Sequence, residues 1–137
     1  MTIGFPSDGM ELTHLLVVGD IGRSSRFYQQ VLGAELYREY GGTSVVLRFL
    51  GDWILLVSSG PPTDDKPSVT FAAPADPDVV SRAWTIRVPD CHAAYRTLAE
   101  RGAEFLTPPI QHGREVRCFL RDPDGHLIEL SEYRPEG

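Results

Sequence analysis

No stretch of this 137-residue chain approaches the ~20 apolar residues that a membrane-spanning helix needs. The segment from Met1 to Met10 lacks the charged-then-apolar order of a secretory signal, so the sequence reads as cytoplasmic. Positive charge is scarce too. Lys and Arg number 13 against 19 Asp and Glu, the formal net charge is −6, and no basic run is present. That balance argues against nucleic acid and against an anionic membrane surface as partners. Cysteine is limited to Cys91 and Cys118, outside any Cys-x-x-Cys spacing. Neither a disulfide framework nor a thiolate metal site is thereby implied, and each cysteine reads as a small buried hydrophobe.

What is present is globular: 42% hydrophobic and 23% charged residues, enough for a core. The apolar run Leu12 to Val18, entered from Glu11, reads as a buried strand that Gly19-Asp20 ends, with Asp20 able to cap a helix. That helix is predicted over 21–32, with Phe27, Tyr28, Val31 and Leu32 on one face and Gly33 as its left-handed cap. Ala34 to Tyr40, Ser44 to Leu50 and Trp53 to Ser58 follow as antiparallel strands, separated by Gly41-Gly42 and Gly51-Asp52. Residues 59–81 carry Gly-Pro-Pro, Asp-Asp and Pro-Ala-Asp-Pro-Asp and read as a linker, with Ser68 to Ala72 as a short edge strand.

From Arg82 the pattern restarts. Ala83 to Val88 is a strand and Asp90 a second helix cap, while Cys91, Ala94, Tyr95 and Leu98 fall on one helical face. Gly102 closes this helix, and strands follow at Glu104 to Leu106, Glu115 to Arg121 and Leu127 to Glu132. The last two flank Asp122-Pro123-Asp124-Gly125, a turn in which Pro presets φ, Asp bonds back to the backbone and Gly accepts positive φ. Val18-Gly19-Asp20 matches Val88-Pro89-Asp90, and Gly33-Ala34-Glu35-Leu36 matches Gly102-Ala103-Glu104-Phe105. The chain is thus a repeat of two βαβββ modules, about 11–58 and 82–132, neither able to bury its sheet alone. The expected class is α+β, a curved mixed sheet around a cleft with helices outside, in a single domain over 1–137.

Inside the last strand, Glu129 stands at the parity opposite Ile128 and Leu130. If those two face a core, the carboxylate must meet water, a cation or a ligand. Arg26-Phe27-Tyr28-Gln29-Gln30-Val31-Leu32-Gly33 and Arg121-Asp122-Pro123-Asp124-Gly125-His126-Leu127-Ile128-Glu129, with the two strand-Asp units, resemble the vicinal oxygen chelate superfamily. That superfamily takes in glyoxalase I, bleomycin and fosfomycin resistance proteins, extradiol dioxygenases and methylmalonyl-CoA epimerase. The resemblance implies a ligand site in a cleft between curved sheets. In metal-dependent members it implies metal ligands on the first and last strand of each module. Glu129 matches one such position. Counting back from the capping Asp residues puts the first-strand positions on Thr13 and Ala83, and aligning Ile54-Leu55-Leu56-Val57 with Leu127-Ile128-Glu129-Leu130 puts the remaining one on Leu56.

His14, one residue from Thr13, is in phase with Leu16 and Val18 and so reads as a core histidine on the helix face. Only a bulge would turn it to the ligand side. A divalent metal, if one binds, would have His14 and Glu129 as its protein ligands. His92, His112 and His126 read as solvated. Thr13, Leu15, Val17, Ala83, Thr85 and Arg87 are expected to point into the cleft, with Leu56 and Glu129 across from them and Arg87 or Arg117 able to balance Glu129. Three functions fit: binding of a small organic molecule without a metal; catalysis by a divalent-metal lyase, isomerase or dioxygenase, or by Glu129 alone as general base; and a structural module without ligand. Open sheet edges point to a homodimer.

Overall fold

Asp20 and Asp90 mark the fold's internal symmetry. Both adopt extended backbone (φ −144° and −145°), and both accept a hydrogen bond from an N–H of the first helical turn, Arg23 at 2.9 Å and Ala93 at 3.0 Å. A computed structural model describes residues 4–135. In module one, β1 (Thr13–Val18) leads to α1 (Ile21–Arg26), then to β2 (Glu35–Tyr40), β3 (Ser44–Phe49) and β4 (Asp52–Ser58). In module two, β5 (Ala83–Arg87) leads to α2 (Cys91–Glu100), then β6 (Glu104–Phe105), β7 (Ile110–His112), β8 (Glu115–Arg121) and β9 (Leu127–Tyr133).

Each module forms its own mixed sheet, in the order β1-β4-β3-β2 and β5-β9-β8-β6, with β7 added beside β8. The first strand lies parallel to the last in both, Leu16 opposite Leu56 and Ile86 opposite Leu130. One face of each sheet is apolar and covered. Leu16, Val18, Val45, Leu47, Ile54 and Leu56 in module one meet Cys118, Leu120, Ile128 and Leu130 of module two in a single core with Tyr28 and Val31. Cys91 and Cys118 lie buried and reduced with sulfurs 3.8 Å apart, and burial pushes the Cys118 thiol up to about 12.

The Asp-Pro-Asp-Gly turn ties the modules together. Asp124 of module two accepts hydrogen bonds from Gly19 N–H (2.8 Å), Arg23 Nη2 (3.0 Å) and Ser24 Oγ (3.1 Å) of module one. Asp122 accepts from the buried Tyr28 hydroxyl at 2.7 Å and from the N–H groups of Asp124 and His126 at 2.9 and 2.8 Å. Burial raises the Asp122 carboxyl above the ordinary carboxylate value despite these donors. Gly125 has φ +94°, and a Cβ there would lie 2.8 Å from the Cβ of Pro77, so the linker rests directly on this turn.

Three expectations need correction. Residues 21–32 do not form one α-helix: α1 passes into a π-helical segment, Phe27–Val31, which seats Tyr28 in the core. Ser68 to Ala72 is not a strand, since only Phe71 bridges to Gly60, and Pro67 and Pro74 bracketing the stretch offer no N–H to extend pairing. His126 is not a solvated histidine. Its Nε2 donates to the Val17 carbonyl at 2.8 Å and helps hold β1 against the turn. A strand that the sequence did not announce, Ile110–His112, pairs with Arg117, Val116 and Glu115. No helix among the described residues is long and apolar enough to cross a membrane.

Candidate functional site

Strand pairing fixes what shares the open face of each sheet, the face turned from the core. In module two, β5, β9 and β8 place Thr85, Glu129 and Phe119 in one row. Arg87, Ser131 and Arg117 form the next. In module one the corresponding rows are Leu15, Leu55 and Val46, then Val17, Val57 and Ser44. A third row runs Thr13, Trp53, Arg48 in one module and Ala83, Leu127, Arg121 in the other.

Leu56 is therefore not a site residue. It is fully buried opposite Leu16 on the core side, and Leu55 occupies the open-face position equivalent to Glu129. The four residues Ile54 to Val57 are all apolar, so their sequence carries no alternation from which the parity could be read. The expected cleft residues also fall into different surroundings. Leu15 and Val17 line a cavity of about 310 Å³ roofed by the linker. Thr85 and Arg87 line another, of about 370 Å³, beside His14. Thr13, Ala83 and Glu129 border neither cavity.

Glu129 is half-buried, and its Oε1 accepts a 2.7 Å hydrogen bond from the Thr85 hydroxyl. The arginines expected to balance it are engaged elsewhere. Arg117 bonds Glu115 at 3.2 Å, while Arg87 bonds Ser131 Oγ at 3.1 Å and approaches Glu115 at 4.0 Å. The Ser131 hydroxyl, then Arg117, hold the Glu115 carboxyl below its ordinary value. Sequence reasoning missed Glu115, Phe119 and Ser131. Counting alternate positions from Glu129 and across the hairpin would have found them. In module one, Arg48 lies 4.3 Å over the Trp53 ring, and both bond Glu11.

His14 stays in phase with Leu16, its ring stacked against Trp84 with centroids 5.8 Å apart. Arg82 Nη2 lies 2.8 Å from Nδ1, and Asp52 lies 3.4 Å from Nε2. A guanidinium only donates, so Nδ1 is the acceptor and the ring proton sits on Nε2 toward Asp52. Both nitrogens thus have protein partners. No group of three or more His, Cys, Asp and Glu able to hold a metal ion occurs among the described residues.

Two βαβββ modules, each with a helix on the covered face of a mixed sheet whose first and last strands run parallel, define a duplicated α+β class. The Glyoxalase/Bleomycin resistance protein/Dioxygenase superfamily profile matches residues 11–130, and the chain belongs to that superfamily. It is 31% identical over 137 residues to the lactoylglutathione lyase of Escherichia coli O157:H7, covering 93% of this chain and 96% of that one. Among solved structures, a glyoxalase/bleomycin resistance protein/dioxygenase from Nocardioides superposes with TM-score 0.72 at 22% identity, covering 99% and 89% of the two chains. TioX from Micromonospora sp. ML1 gives 0.70 at 19%, covering 92% and 100%.

The superfamily resemblance implies a divalent metal held from the first and last strands of both modules. By strand register those positions are Thr13, Leu55, Ala83 and Glu129. A hydroxyl, two alkyl side chains and one carboxylate do not make the three or four charged or imidazole donors such an ion requires. The residues present do not fit the metal.

Proposed function

We propose that the protein binds a small organic molecule against the open face of module two, without the family's metal, and does so as a homodimer. The observation that carries this reading is the donor set just described, in which Glu129 alone keeps the chemistry of a ligand position. Around it the face is mixed: Phe119 beside Glu129 offers an apolar contact, Thr85 fixes one carboxylate oxygen, and Oε2 is left to accept from a ligand. The lactoylglutathione lyase activity named for the relatives is not carried over, because three of the four positions that would hold a metal, Thr13, Leu55 and Ala83, offer no charged or imidazole donor.

A second reading is favoured by one feature. Among the described residues the Thr85 hydroxyl is the hydrogen-bond donor to Glu129, and neither Arg87 nor Arg117 pairs with it. An unpaired, half-buried carboxylate is suited to take a proton from an acidic C–H, which makes a metal-free enzyme with Glu129 as general base. Dimerisation is supported by the open edges at β2 and β5 and by Tyr37 and Tyr40, which stand exposed along β2.

The test is a fragment screen on chelator-treated protein, followed through the amide signals of Thr85, Glu129 and Ser131. Binding should perturb those three together, and Glu129→Gln should weaken it about tenfold, the loss of one charge-assisted hydrogen bond. Hits that leave these amides unmoved, or bind the variant equally, contradict the proposal. Sedimentation at about 50 μM, well above ordinary dimer constants, should give the dimer; a monomer contradicts that part.

A further inference from the structure

The linker, read in sequence as mere connection, builds a cavity. Residues 72–82 pass over the seam where β1 of module one meets the start of β9 in module two, and border a partly open cavity of about 310 Å³ there. That volume is within the range of small-molecule sites. Its walls are mainly apolar, from Leu15, Val17, Val79 and Leu127, and its charged lining residue is Arg82. Arg82 spends one N–H on His14 Nδ1, which leaves further donors of its fork. Trp84 stands in the same wall. The same residue also borders the 370 Å³ cavity, and its indole N–H is buried beneath the wall with no acceptor among the described residues, so it is a reporter of this wall rather than a ligand contact.

We propose that this seam is a second ligand site, built for a compact apolar carboxylate whose acid group meets Arg82 and whose body lies against Leu15, Val17, Val79 and Leu127. Arg82 is pre-positioned for the task. The neutral His14 ring, oriented by Asp52, accepts from one Nη and holds the guanidinium at the cavity. The occupant touches both modules and the linker, so it bridges the parts of the chain that the Asp122–Asp124 turn also joins. The site is separate from the open face around Glu129, which does not border this cavity.

The probes are cyclohexanecarboxylate and its neutral amide, cyclohexanecarboxamide, titrated into ¹⁵N-labelled Trp53→Phe protein. Of the two tryptophans, that variant keeps Trp84 as the single indole N–H signal. The acid should shift this signal saturably and bind about tenfold more tightly than the amide, the gain expected of a charge-assisted bond over a neutral one. Arg82→Gln should abolish the difference and Arg82→Lys retain it, with the amide spectrum confirming that both are folded. The seam is read at the Trp84 indole and the open face at Thr85, Glu129 and Ser131, so either site can fail alone. No saturable indole shift by about 10 mM acid, the weak end of fragment binding, would overturn the proposal. So would equal binding of acid and amide, or an unchanged preference in Arg82→Gln.

Discussion

Leu15 and Leu55 stand in module one where Thr85 and Glu129 stand in module two, and Val17 and Val57 where Arg87 and Ser131 stand. The core-side equivalents differ far less: Leu16 and Ile86, Ile54 and Ile128, Leu56 and Leu130. The covered faces of the two sheets share one core, so both copies must keep close-packed apolar side chains there. The open faces carry no such constraint. Module one's is the more apolar and aromatic at its centre, with Trp53 and Tyr37 in edge contact at 4.9 Å, while module two's centre carries Thr85, Glu129, Arg87 and Arg117 beside Phe119. Under the proposed function the site lies on the open face, and the scaffold beneath says little about its chemistry.

The largest expected effect separates the faces within β4. Leu56→Ala should cost about 2–5 kcal/mol of stability, as a large-to-small change in a filled core does. Leu55→Ala, on the open face, should cost under about 1.5 kcal/mol, since its neighbours are half-exposed. Urea unfolding of the two variants checks this, and reversed magnitudes would reverse the assigned parity.

Next comes the link between modules. Asp122→Asn puts an amide where Tyr28 and two backbone N–H groups now donate, which should cost about 2 kcal/mol. Thermal unfolding should show a single lowered transition; an unchanged midpoint would mean that the turn does not bind the modules together. Glu129→Gln makes the contrast from the other side. It should alter stability by less than about 0.5 kcal/mol, as open-face changes do, while impairing ligand binding.

The smallest effect is one of pH. The Glu115 carboxyl is held below its ordinary value in the folded chain by Ser131 and then Arg117. The unfolded chain then binds the proton first as pH falls, so this stabilisation is present above the ordinary value of 4.5 and lost as pH drops through the folded one. Urea midpoints between about pH 6 and pH 3 should fall less steeply in Glu115→Gln than in the parent. Identical slopes would remove Glu115 from the account.

Much of the fold was legible because local chemistry writes it. The capping Asp residues, the glycines after each helix and the Asp-Pro-Asp-Gly hairpin each act within a few residues, and their duplication exposed the two modules. Glu129 was legible as the acid in an alternating strand. Leu55 was not, because four successive apolar residues hide which face each takes until strand pairing decides it. Glu132 was hidden for the opposite reason. It ends the last predicted strand with nothing in the sequence to mark a partner, yet it is 4% exposed and accepts from the Cys91 N–H at the start of α2. That N–H, then Arg134, keeps its carboxyl below the ordinary value. Arg82 and the linker cavity depend on how residues 72–82 are laid over the seam, which no periodicity encodes.

The central claim is that three of the family's four metal positions, Thr13, Leu55 and Ala83, offer no charged or imidazole donor, and metal content tests it most directly. Protein purified without a histidine tag should contain far less than one transition metal per chain by elemental analysis. Zn, Ni, Mn and Fe(II) added in excess should leave its melting temperature unchanged, since a ligand that binds only the folded state raises it. One equivalent of bound metal that Glu129→Gln releases would contradict the account and restore the metal-enzyme reading.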